Sequence, residues 1–108
     1  MESARIELPV VDPSIRPEPR LRLTRRCTRG GRLRMSLAGA DVERVRDVSF
    51  KFGRRLAVRD TRPGFSRLAP RRMLARTRAR RLRAVAYLEG RPAGERVVLS
   101  RPLLRCGR

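Results

Sequence analysis

The sequence predicts an all-β fold of short antiparallel strands, and three observations predict it. Apolar residues alternate with polar ones on both sides of Gly53 in VSFKFGRRLAVRDTRPGF, residues 48–65. Further alternating segments recur at short intervals from Arg20 onward, separated by glycine-containing breaks. The two cysteines, Cys27 and Cys106, fall at the end of the first such segment and just beyond the last. Alternation with a period of two sends one set of side chains to a core and the other to solvent, as a half-buried strand requires.

Residues 1–19 carry four prolines, no sustained alternation and a net charge of −2. They are expected to form a linker or extended arm, with a short strand at Ile6 to Val11. In the first strand of the domain Leu21, Leu23 and Cys27 share a phase that Arg25 breaks, which suits an edge position or a bulge. Thr28 to Gly31 supplies a turn, and Arg32 to Leu37 alternates again, with Leu33, Met35 and Leu37 inward. Gly39 to Asp41 ends that strand, and Val42 to Asp47 is expected to connect it to the next. Val48, Phe50 and Phe52 then share one face. Gly53-Arg54 suits a two-residue type II′ turn, because glycine readily takes the positive φ of the first central position. That turn pairs Phe50 with Ala57, whereas a three-residue loop pairs Phe50 with Val58 and Phe52 with Leu56; both registers remain open. In Asp60-Thr61-Arg62-Pro63 a short acid can cap a turn through its own backbone.

Pro70 to Leu88 is built almost wholly from Ala, Leu, Arg and Met, so a long basic helix competes with a strand there. Alternation of Leu82, Ala84, Ala86 and Leu88 with Arg81, Arg83, Val85 and Tyr87 favours a strand over Arg80 to Leu88, preceded by a helical turn near Arg71 to Ala75. Gly90 to Gly94 reads as a turn and Arg96 to Leu104 as the last strand, with Pro102 tolerable at an edge. A bond between Cys27 and Cys106 would join the two ends of the domain, and closing so long a loop is worth about 4 to 5 kcal/mol in chain entropy. Two unpaired thiols are the alternative.

A chain of 108 residues, 40% of them hydrophobic, holds one core. Lys+Arg 29 against Asp+Glu 10 gives a formal charge of +19, and Lys51 is the single lysine, leaving 28 arginines. Asn, Gln, His and Trp are absent. Residue types with A/T-rich codons are the scarce ones, so a GC-rich genome accounts for much of the arginine. Residues 20–108 nevertheless carry +21, and Arg71, Arg72, Arg76, Arg78, Arg80, Arg81 and Arg83 cluster in one short stretch. Guanidinium groups bind oxyanions in bidentate fashion, so this cluster is a candidate polyanion-binding surface. Its partners would be cell-envelope polymers or, nonspecifically, nucleic acid. The aromatics are Phe50, Phe52, Phe65 and Tyr87, and the phenylalanines fit the core, which leaves little for base stacking. The competing reading is an intracellular nucleic-acid-binding protein that uses an arginine-rich helix.

Enzymatic chemistry finds little support. There is no histidine to act as a general base, and neither cysteine has an activating partner in the sequence pattern. Gly30-Gly31 lacks the spacing and lysine of a phosphate loop. Two cysteines without histidine do not complete a four-ligand zinc cage. The expectation is therefore no catalytic residue, cofactor or metal, with Asp41, Glu43, Asp47 and Asp60 as ion-pair partners or turn formers. No apolar run approaches the ~20 residues of a membrane-spanning helix. The first residues lack the basic start and apolar h-region of a signal peptide, so export would require coding sequence upstream of Met1.

The segments CTRGGRLRMSLAGAD, VSFKFGRRLAVRDTRPGF, RRLRAVAYLEG and LLRCG resemble the strands and turns of immunoglobulin-like or fibronectin-like β-sandwich domains in secreted and surface proteins of actinobacteria. The central hairpin is similar to the pattern V-x-F-x-V-x-G-x-x-V-x-x-D-T-x-x-P-F of bacterial members. The resemblance covers Leu21 to Gly107. It implies an immunoglobulin-like antiparallel sandwich of about seven strands over residues 20–108. It further implies a noncatalytic extracellular module that spaces, stabilises or attaches a larger secreted chain. Antibody domains bury a Trp against a disulfide between inner strands and place a Tyr two residues before the second Cys. Here Trp is absent, Leu104 holds the Tyr position, and antibody-like recognition is not implied.

Overall fold

The computed structural model describes residues 19–90 and 96–106. Among them, seven strands form two antiparallel sheets. One sheet holds β1 (Arg22–Cys27), β2 (Leu33–Ala38) and β5 (Ser66–Leu68) in the order β1-β2-β5. The other holds β3 (Val45–Phe52), β4 (Arg55–Asp60), β6 (Arg81–Leu88) and β7 (Val97–Pro102) in the order β4-β3-β6-β7. A short helix, α1 (Arg71–Arg76), joins β5 to β6. The chain is thus an all-β sandwich, as the alternation predicts.

Between the sheets lies one apolar core. Leu23, Leu33, Met35 and Leu37 enter it from the three-stranded sheet, and Val48, Phe50, Phe52, Leu82, Ala84, Ala86 and Leu88 from the four-stranded one. Phe65, Ala69 and Leu74 close it from the connections. Each buried Leu, Val, Met or Phe side chain contributes roughly 1.5–3 kcal/mol through removal from water, which is what orders the sandwich against its backbone entropy. The strand at Arg81–Leu88 settles the competition with a long helix. Its backbone pairs with β3 on one side and β7 on the other, two ladders that a helix would forfeit.

The hairpin contains parts of both registers left open by the sequence. Gly53, at φ 61°, and Arg54 form a two-residue turn with Phe52 opposite Arg55, and a bulge at Ala57 then brings Phe50 opposite Val58. The bulge restores Val58 to the partner position that a longer loop would have given it. A second bulge, at Arg46, corrects the expectation that Val42 to Asp47 is only a connection. A 3-10 turn occupies Val42–Arg44, and β3 starts at Val45, which pairs with Leu88. The extra residue lets Val45, Asp47 and Val48 all be buried, an arrangement that strict alternation hides.

β5 is the strand that the sequence reading missed. Its three residues are too few to show a period, and it is held by pairing with β2 from Arg34 to Ser36. It is preceded by Gly64 at φ 101° and by Phe65 at φ 38°, a left-handed conformation that costs a bulky residue on the order of 1–3 kcal/mol. Burial of the Phe65 ring, 3% exposed, offsets that cost. The expected arm over residues 1–18, with its strand at Ile6 to Val11, lies outside the described residues, as does most of the turn expected at Gly90 to Gly94.

Candidate polyanion interface

Strand register determines which loops share an end of the sandwich. Cys27 pairs with Leu33 and Arg34 with Leu68, so the β1–β2 turn and the start of the α1 connection lie together. In the other sheet Leu82 pairs with Phe52 and Arg81 with Pro102, so the β3–β4 turn, the start of β6 and the C-terminal segment lie together. The Cys27–Cys106 disulfide, with its Cα atoms 5.5 Å apart, shows that these are the same end of the molecule. We call it the helix end.

Several arginines brace this end. Arg105 donates from Nη1 to the carbonyls of Leu74 and Thr77, at 3.1 and 2.8 Å, and from Nη2 to that of Ala79, at 3.1 Å. A guanidinium thereby satisfies backbone acceptors at and beyond the C-terminus of α1, where cations are favoured. Arg32 Nη2 donates to the Ala69 carbonyl at 3.1 Å, and Arg71 Nη2 to that of Gly30 at 3.2 Å. Across the sandwich edge, Arg25 Nε donates to the Pro102 carbonyl at 2.5 Å and Arg101 Nη1 to that of Leu23 at 3.4 Å. Arg25, which breaks the phase of the first strand, therefore bridges the two sheets from the edge strand β1.

The seven arginines singled out by the sequence all belong to the helix end. Arg71, Arg72 and Arg76 are exposed on α1, Arg78 and Arg80 are exposed on the link to β6, and Arg81 and Arg83 begin that strand. Arg81 Nε is tied to Ser100 Oγ at 3.0 Å, and half-buried Arg83 pairs in register with Lys51 and Ser100. The long arginine-rich helix of the competing reading does not form. α1 ends at Arg76, Thr77 is extended, and Thr77 Oγ1 accepts the backbone N–H of Ala79. Folding also adds residues that linear spacing could not connect to the cluster. Arg55, at the start of β4, lines a groove of about 300 Å³ with Arg72, Met73, Arg76 and Thr77.

The carboxylates lie elsewhere. Among the described residues, Asp41, Glu43, Asp47, Asp60 and Glu89 all belong to the opposite half, where β2 leads into β3, β4 ends and β6 ends. They neutralise or organise what surrounds them. Asp47 lies 3.4 Å from Arg59 and 3.9 Å from Arg46, and buried Asp60 lies 3.8 Å from Arg67. Asp60 Oδ1 accepts the Arg62 backbone N–H at 3.0 Å, the self-capped turn expected from the sequence. Asp41 Oδ2 accepts the N–H of Arg20 at 2.6 Å and holds the chain against the β2–β3 corner. The chain there passes so close to Gly39 that a Cβ on it would run into the Arg20 carbonyl oxygen.

Among the described residues, no carboxylate lies within ion-pair distance of the seven clustered arginines, which concentrates positive charge at the helix end. Both cysteines are joined to each other, and no helix among the described residues is long and apolar enough to cross a membrane. The sequence matches no family model and no curated protein, and the fold matches no solved structure.

Proposed function

We propose that this domain is a noncatalytic extracellular module that rests its helix end against anionic polymers, while the sandwich spaces or attaches a larger secreted chain. The observation that carries the proposal is the separation of charge. Exposed Arg72, Arg76, Arg78 and Arg80 gather where no described carboxylate lies, whereas the described acids are grouped around the other end. Guanidinium groups held without partners are ready for sulfate, phosphate or carboxylate oxygens. Little aromatic surface accompanies them, so binding is governed by charge density rather than by base identity.

Two further features support the extracellular part. A disulfide clamps the first strand to the segment after the last, and such bonds persist in oxidising compartments. The strand order, β1-β2-β5 against β4-β3-β6-β7, is similar to an immunoglobulin-like sandwich in which the fourth strand has joined the sheet of the third.

Titration with a sulfated polysaccharide, polyphosphate and several DNA duplexes over a range of salt tests this reading. Affinity is expected to fall steeply with salt for all of them. Replacing Arg72, Arg76, Arg78 and Arg80 with Gln should reduce the logarithmic salt slope by about 4, near one unit per lost contact. Replacing Arg22, Arg44, Arg62 and Arg96, an equal charge at the other end, should change it by less than about 1. A preference above about a hundredfold for one DNA sequence would instead support a sequence-reading nucleic-acid protein.

A further inference from the structure

α1 is a helix that its own residues do not sustain. Its six residues fall short of the about 12–15 that an isolated helix needs in water, and Arg71 and Arg72 oppose the positive end of its dipole. Among the described residues no side chain caps its first turn. Besides buried Leu74, what holds it is a pair of grips at its two ends. At the start, Arg71 Nη2 donates to the Gly30 carbonyl and Arg32 Nη2 to the Ala69 carbonyl, so the β1–β2 turn that follows Cys27 grasps the residues entering the helix. At the finish, Arg105 donates to the carbonyls of Leu74, Thr77 and Ala79. Cys27 precedes the first grip, Cys106 follows Arg105, and the disulfide ties one grip to the other.

The bond is also within reach of a reductant. Cys27 is exposed on the edge strand β1, and half-buried Cys106 borders a surface cavity of about 280 Å³ together with Arg32, Arg71 and Ala75. We infer that Cys27–Cys106 is a redox-sensitive lock on α1: a dithiol opens it, the two grips part, and α1 loosens together with Arg72 and Arg76. A thiolate of the dithiol attacks Cys27 Sγ, the S–S bond breaks, and Cys106 leaves as a thiolate into surroundings made cationic by Arg32 and Arg71. The second thiol of the dithiol then attacks its own half of the mixed disulfide and releases Cys27. The protein gains two electrons and two protons as two thiols, and the dithiol departs as a disulfide. The consequence for polymer binding rests on the function proposed above, because Arg72 and Arg76 belong to that surface; the lock itself does not.

Backbone order parameters of the isotopically labelled domain, oxidised and after treatment with dithiothreitol in the absence of denaturant, test the lock. Dithiothreitol should reduce the bond in the folded domain. Order parameters of the α1 amides should then fall below about 0.6 while those of β3 and β6 stay near about 0.85, the values of flexible and of rigid backbone. With the bond intact, Arg105→Gln should loosen α1 in the same way, whereas Arg101→Gln, which removes a donor to the Leu23 carbonyl at the sandwich edge, should leave it rigid. Affinity for a sulfated oligosaccharide, measured on the same samples at fixed salt, should fall at least about threefold on reduction, because Arg72 and Arg76 must be ordered anew on binding. The inference is overturned if the folded domain resists dithiothreitol, if α1 stays rigid once the bond is open or in Arg105→Gln, if β3 and β6 lose order along with it, or if affinity is unchanged although α1 has loosened. The two proposals fail differently: an oxidised domain that binds no oligosaccharide sinks the polymer interface, while the order parameters still decide the lock.

Discussion

Phe50→Ala should cost the domain about 3–5 kcal/mol of its folding stability. Phe50 is fully buried in β3, with Val58 opposite it in β4 and Ala84 opposite it in β6. Truncation removes the ring's transfer free energy and leaves a cavity that rigid strands on both sides cannot close, a loss of about 3–5 kcal/mol. A domain of this size has roughly 5–15 kcal/mol in total, so the loss takes from about a fifth of the margin to all of it. Urea denaturation followed by far-UV circular dichroism measures the effect. Leu56→Ala in the adjacent strand is the contrast: its side chain is 51% exposed, and the change should stay within about 0.5 kcal/mol.

Opening the disulfide should have the next largest effect. Cys27 and Cys106 are 79 positions apart, and a loop of that length corresponds to about 4.5 kcal/mol of unfolded-chain entropy, with 2–5 kcal/mol the range usually observed. The bond also holds the segment from which Arg105 supports the carbonyls at the end of α1. Cys27→Ser with Cys106→Ser should therefore lower Tm by about 8–40 °C, taking 4–8 °C per kcal/mol for a domain of this length. Scanning calorimetry of the double variant beside the oxidised parent measures it. A drop below about 3 °C would mean that the bond contributes little to the folded ends.

Much of the fold is legible because each inward set of side chains is paired with an outward polar set. β2 shows this in Leu33, Met35 and Leu37, and β6 in Leu82, Ala84, Ala86 and Leu88. Gly53 marks its turn because the φ there is positive. What alternation cannot show is an inserted residue. Bulges at Arg46 and Ala57 shift the phase without changing composition, and so conceal the start of β3 and the hairpin register. β5 is concealed for a different reason, since three residues owe their strand geometry to the neighbouring β2.

The candidate interface follows the same division. Arg71, Arg72 and Arg76 are visible as neighbours in sequence, but Arg55 reaches them only because the β3–β4 turn and α1 occupy one end of the sandwich. Nor could composition separate bracing arginines from unpartnered ones. Arg25, Arg32, Arg101 and Arg105 donate to backbone carbonyls of distant segments, each more than thirty residues away or nearly so. Arginine occurs throughout the domain, and the fold divides it between structure and surface.

Chemical-shift mapping of a short sulfated oligosaccharide on the isotopically labelled domain tests the charge-separated interface most directly. The account predicts perturbations concentrated on Arg71 to Arg80 and on Arg54 and Arg55 at the β3–β4 turn, and lost when salt is raised. Perturbations centred on Arg44, Arg62 and Arg96, or spread evenly over both ends, would contradict it.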